Sequence, residues 1–123
     1  MPKAAPPPRG DAVAPSQLCL MHSSTQTRFV LSGQDEFLVG RPDPVTATTP
    51  EVNLGPLDAQ RSLSRRHAKI LRAPGGWVVR EEVGTLNGTF HNGQRLKPGV
   101  SVAFAIGDVL KFGSVEVAVE AAA

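Results

Sequence analysis

The 123 residues carry 13 Lys and Arg against 11 Asp and Glu, a net charge of +2, with an ordinary apolar fraction of 41%. That length suits one domain able to bury a core without staples, and the weak charge excludes a protein that coats nucleic acid. A single cysteine, Cys19, excludes an internal disulfide framework and any cysteine metal cluster. Its neighbours Leu18, Leu20 and Met21 predict a buried strand position, where free cysteine packs as a small hydrophobe.

Residues 1–15 contain five prolines and no apolar periodicity, which predicts a disordered, polyproline-like linker. No apolar run approaches the ~20 residues that span a bilayer. The N-terminus also lacks the apolar core of a secretory signal. The expected setting is soluble and cytoplasmic.

From Gln17 onward short apolar runs alternate with turn formers. Strands are predicted at 17–22, 27–31, 36–40, 51–54, 68–71, 76–80, 89–91, 94–96, 101–103, 108–112 and 115–119. These runs are rich in Val, Leu, Ile and Phe. The breaks are Ser32-Gly33, Pro74-Gly75-Gly76, Asn92-Gly93, Lys97-Pro98-Gly99 and Gly113-Ser114. Asn92-Gly93 suits a type I′ hairpin, whose two central residues need positive φ. Nothing longer than a turn reads as helix, so the chain is predicted to be an all-β sandwich or barrel. Two loops, 41–50 and 55–67, are too long for hairpins, and long ordered loops are usually functional.

Residues with the chemistry to bind an anion sit at or beside these loops. Arg41 follows strand 36–40, and its guanidinium offers five fixed donors. Ser64-Arg65-Arg66-His67 precedes strand 68–71 and adds a hydroxyl, backbone amides and charge. A Ser64–His67 hydrolase is not supported, because no glycines form a nucleophile elbow and no third group orients the histidine. His67 reads instead as a structural hydrogen-bonding residue joining two loops. His22, His67 and His91 have no metal-ligand spacing. Asn87-Gly88-Thr89 fits a tight turn, or an asparagine that bonds the backbone of an extended peptide. The basic cluster Arg61, Arg65, Arg66, Lys69 and Arg72 points to a local anionic partner. It lacks the interleaved aromatics of a nucleic-acid surface. Thr46, Thr48 and Thr49 lie beside this region, and an ordinary polar loop is favoured there over a modification site.

Taken in order, Gly40-Arg41, Ser64-x-x-His67, Asn87-Gly88-Thr89-Phe90 with Asn92-Gly93, and the tail 106–113 resemble the forkhead-associated (FHA) family. The resemblance spans roughly residues 17–120. It implies an eleven-stranded β-sandwich with binding loops at one end: residues 1–15 a linker, 16–120 the domain, 121–123 a tail. It also implies a non-enzymatic, cofactor-free module that binds phosphothreonine peptides made by an upstream Ser/Thr kinase, with no nucleic acid or membrane partner, acting as a monomer in signalling. By position, Arg41 and Ser64 would contact phosphate, Arg65 would add a contact, and Asn87 would hold the peptide backbone. His67, Gly40 and Gly88 would support the loops. One position departs from the family pattern: Leu86 stands where a small hydroxyl residue is common, leaving only its backbone amide, with Thr85 one residue away. That departure supports an alternative, a phosphate-independent interaction scaffold on the same fold.

Overall fold

The computed structural model describes residues 17–82 and 85–122; the predicted 1–15 linker lies outside them. Eleven strands form two sheets. In chain order they are β1 Leu18–His22, β2 Thr27–Leu31, β3 Glu36–Gly40, β4 Val52–Asn53, β5 Arg66–Ala73, β6 Gly76–Glu81, β7 Thr89–His91, β8 Gln94–Arg95, β9 Ser101–Phe104, β10 Val109–Phe112 and β11 Val115–Ala121. One sheet runs β2-β1-β11-β10-β7-β8 and the other β4-β3-β5-β6-β9. The sole described helix is a single 3-10 turn, Gly55–Leu57. No helix among the described residues is long and apolar enough to cross a membrane.

The period of two that marked the strands is what fills the core. In β6 the side chains of Trp77, Val79 and Glu81 point inward, and in β11 those of Val115, Val117 and Val119 do. The apolar ones meet Phe37, Val39, Ile70, Leu110 and Phe112 between the sheets. Strand β1 breaks the rule, since Leu18, Cys19, Leu20 and Met21 are all buried. The outer face at Cys19 is covered by Arg28, whose guanidinium lies 3.9 Å from its Sγ and 3.5 Å from the Glu120 carboxylate. An arginine stem can seal apolar surface while its head stays wet. Strand β1 pairs antiparallel with β11, placing Leu18 opposite Ala121.

Two departures from hairpin order create the loop end. Strands β3 and β4 pair in parallel, Val39 opposite Val52, so the chain must cross over between them. This accounts for the length of segment 41–51, which is pinned by reciprocal backbone bonds between Asp43 and Thr48 (2.8 and 3.1 Å). Strands β3 and β5 then carry a bulge: Val39 faces Ala68 but Gly40 faces Arg66. His67 is the extra residue and turns into the core. Strand β5 therefore starts at Arg66, ahead of the apolar run that announced it.

Gly40 sits at this bulge with no room for a side chain. A Cβ there would overlap the Arg65 carbonyl oxygen and lie 2.9 Å from that of Ser64. Both are backbone atoms of the loop end. Gly40→Ala is expected to destabilise the domain by about 1–3 kcal/mol, read as a lower urea midpoint at unchanged slope.

Candidate functional site

The loops β3–β4, β4–β5, β6–β7 and β10–β11 meet at one end of the sandwich, and His67 is the joint between two of them. Its Nδ1 accepts the backbone N–H of Ser64 (3.1 Å) and its Nε2 bonds the Gly88 carbonyl (2.8 Å). A carbonyl only accepts, so the proton sits on Nε2 and the ring is neutral. The ring is fully buried and packs edge-on against Phe112, centroids 6.1 Å apart. Gly88 adopts φ +83°, and its carbonyl also accepts the Gly113 amide (2.9 Å). The positive φ is what calls for glycine here, since the only atoms a Cβ would crowd belong to the movable Arg95 guanidinium.

A second cluster shapes the β4–β5 loop. Asp58 accepts the Ser62 N–H (3.0 Å) and hydroxyl (2.8 Å) on one oxygen and the Leu63 N–H (2.8 Å) on the other. The Ser62 hydroxyl accepts the Ser114 amide (2.8 Å), and the Ser62 carbonyl accepts the Asn87 side-chain amide (2.9 Å). Partial burial works to raise the Asp58 carboxyl, but these donors outweigh it and hold the group below its usual range. Asp58, Ser62 and Ser114 were not singled out from sequence. The available signal was an Asp four residues before a Ser in a long loop, which is weak because such residues cap many turns.

The positions carrying binding chemistry are arranged around these joints. Arg41 donates Nε–H to the Leu63 carbonyl (2.9 Å), which fixes its plane and leaves both terminal nitrogens without a partner among the described residues. Ser64 is half-buried, and its hydroxyl likewise has no partner there. Asn87 is exposed. Arg65 is exposed and pairs with Asp43 at 3.7 Å, a contact that an incoming anion would compete for. Burial works to raise the Asp43 carboxyl, while bonds from Val45 and Thr46 and the Arg65 charge bring it below its usual range.

Thr85 and Leu86 point opposite ways. Leu86 is 88% exposed, whereas the Thr85 hydroxyl is enclosed and lacks a partner among the described residues. The loop thus presents an apolar side chain and keeps its hydroxyl inside. No group of three or more His, Cys, Asp or Glu able to hold a metal occurs among the described residues. Cys19 is buried and unpaired.

The FHA domain family model matches residues 37–113, from β3 to the turn after β10. The chain belongs to the FHA family. Solved FHA structures share its architecture. The FHA domain of a hypothetical protein from Arabidopsis thaliana superposes with a TM-score of 0.69 at 23% identity, covering 94% of each chain. The N-terminal FHA domain of Rad53p from S. cerevisiae, solved with a phosphothreonine peptide, gives 0.68 at 18% identity over 85% of this chain and 92% of that one. An FHA domain from a study of phosphothreonine-dependent interactions gives 0.66 at 20% identity, over 85% of this chain and 95% of that one. No curated protein matches by sequence at a significant level.

The neutral His67 of this FHA domain has a measurable consequence. Burial pushes it below its ordinary 6.5, against the opposing pull of the Gly88 carbonyl and the Glu81 and Asp58 charges. The unfolded chain takes up this proton near 6.5 while the folded domain resists until lower pH. Stability from this residue is therefore complete above about 6.5 and is lost as pH falls from there through the folded value. An NMR titration should place the His67 midpoint below 6.5, with unfolding free energy declining over the same interval. A midpoint at or above 6.5 would refute the neutral assignment.

Proposed function

We propose that this FHA domain is a non-enzymatic reader of phosphothreonine peptides, mediating phosphorylation-dependent protein association downstream of a Ser/Thr kinase in the cytoplasm, as a monomer. One observation carries the reading: at a single loop end, the terminal nitrogens of Arg41 and the Ser64 hydroxyl are unspent, while the Arg41 Nε and the Ser64 amide beside them are anchored to the loops. Their neighbours are immobilised by His67 and Asp58, so donors are organised before any ligand arrives, which lowers the cost of binding. The peptide complex of the Rad53p domain supports the same reading.

In this reading Arg41 and Ser64 hold phosphate oxygens, Arg65 exchanges Asp43 for the ligand, and Asn87 bonds the peptide backbone. Gly40, His67 and Gly88 support the loops. At the β6–β7 loop the donor is the Leu86 backbone amide, since the Thr85 hydroxyl is enclosed. No cofactor, nucleic acid or membrane enters the scheme.

A phosphothreonine carries about −1.5 to −2 charge, and a hydrogen bond to a charged group contributes roughly 1.5–3 kcal/mol. Two or three such bonds separate phosphorylated from unphosphorylated peptide by a factor on the order of 100 or more. Binding to an oriented phosphothreonine pool is expected, with phosphoserine and unphosphorylated pools bound far less. Arg41→Ala should abolish the difference between them. Binding that is indifferent to phosphate and survives Arg41→Ala would establish the second reading, a phosphate-independent scaffold, which the 88% exposure of Leu86 favours.

Leu86→Thr restores a side-chain donor at that position. The expected gain in phosphopeptide affinity is up to about tenfold, one charged hydrogen bond, measurable by calorimetry. No gain would show that the Leu86 side chain does not lie against the phosphate.

A further inference from the structure

Each sheet of the sandwich has two edges, β2 and β8 on one and β4 and β9 on the other. An open edge offers a row of backbone N–H and C=O groups to any other strand, and proteins blunt such edges with short strands, charges or proline. Three of these edges are blunted. Strands β4 and β8 are two residues long, and β2 carries the exposed Arg28. Strand β9 is not: Ser101–Phe104 lies within an uncharged run, residues 99–107.

One side of β9 bonds β6, with Val102 opposite Val79 and Ala103 opposite Val78. On its other side the backbone of residues 101–104 has no partner among the described residues. The side chains along that run are uncovered as well. Ser101, Ala103 and Ala105 are exposed, and Val100 and Ile106 are 50% and 49% exposed. These last two stand three residues either side of Ala103. Opposite charges bound the run, Lys97 before it and Asp108 after it.

We propose that β9 is a self-pairing edge, its partner the β9 of a second copy of this chain, joined antiparallel about a two-fold axis at Ala103. In that register Ala103 faces its own mate, Ser101 faces Ala105, and Val100 meets Ile106 at both ends, so the exposed apolar positions cover one another. The antiparallel run also sets Lys97 of each copy towards Asp108 of the other, where a parallel run would bring like charges together. An unrelated strand would gain the backbone bonds without this match of side chains and end charges, so the second copy is the occupant that fits. The two five-stranded sheets then form one continuous sheet. A seven-residue edge covers far less than the roughly 800 Å² per partner that a stable complex buries. The dilute domain therefore stays monomeric, and pairing sets in at concentrations on the order of 1 mM. Strand β9 runs away from the loop end, Ser101 lying opposite Arg80 and Phe104 opposite Trp77. Antiparallel pairing thus points two sets of loops to opposite poles. None of this depends on what the loops bind.

The test follows the full 123-residue chain by NMR, without peptide, from micromolar to millimolar concentration. The expected result is amide shifts confined to residues 99–107, with translational diffusion slowed by up to about 1.3-fold, the size ratio for a doubled chain. Ala103→Lys sets two ammonium groups face to face at the axis and should erase both changes. Position 103 is exposed, and unaltered amide shifts elsewhere report that the fold is kept. Under a mild oxidant, Ala103→Cys should form a disulfide-linked dimer about tenfold faster than Ser101→Cys, because opposed residues lie within disulfide reach. In the same register the Ser101 positions are roughly 13 Å apart. The native Cys19 is buried and stays out of the reaction. Diffusion independent of concentration, or pairing that survives Ala103→Lys, overturns the proposal, and equal cross-linking of the two cysteine variants overturns the axis at Ala103. An edge that stays single at millimolar concentration yet shifts on adding an uncharged Val-Ala peptide belongs to another protein's strand, which likewise overturns self-pairing. The phosphothreonine reading stands or falls separately from all of these outcomes.

Discussion

The loop end of this domain depends on a histidine ring that is bonded on both sides. His67 accepts from Ser64 and donates to Gly88, two segments far apart in the chain that the Asn87–Ser62 bond also joins. Burial of the ring removes water as an alternative partner, so losing either bond leaves a buried polar group unsatisfied. The ring reaches that position because the β3–β5 bulge inserts it between paired residues. The bulge in turn needs Gly40, whose absent side chain admits the loop carbonyls. Glycine, bulge, ring and second glycine form one chain of necessity.

Around that joint the domain spends its polar groups unevenly. Asp58 and Ser62 consume one another's capacity and bind Leu63 and Ser114 as well, which makes the part of the β4–β5 loop after the 3-10 turn an ordered wall without helix or strand. Arg41 is anchored by one nitrogen only. An arginine fixed through Nε keeps its paired terminal nitrogens in a set plane, the geometry that suits bidentate contact with an oxyanion.

Much of this was legible in the sequence because strands and tight turns are local. All eleven strand segments were predicted from short, often alternating runs cut by turn formers, and β2, β3 and β7 match to the residue. What was hidden is non-local. The parallel β3–β4 pairing depends on which strands meet, a choice no window of residues encodes. The bulge moved the start of β5 ahead of its apolar run, since pairing with Gly40 recruits the polar Arg66. The positions carrying anion chemistry could be singled out by residue type and order. The Asp58–Ser62–Ser114 cluster could not, because its members are ordinary loop residues until folding brings Ser114 against Ser62. The opposite facings of Thr85 and Leu86 were hidden for a related reason: inside a loop no periodicity says which neighbour points inward.

The pairing of Leu18 with Ala121 governs how this module can be tethered. Strand β11 begins beside Gly113 and Ser114, at the loop end, and its seven residues run away from it, a length of roughly 23 Å. The polypeptide therefore enters β1 and leaves β11 side by side at the far pole of the sandwich. The start of β1 and the end of β11 both lie about a strand's length from the loop end.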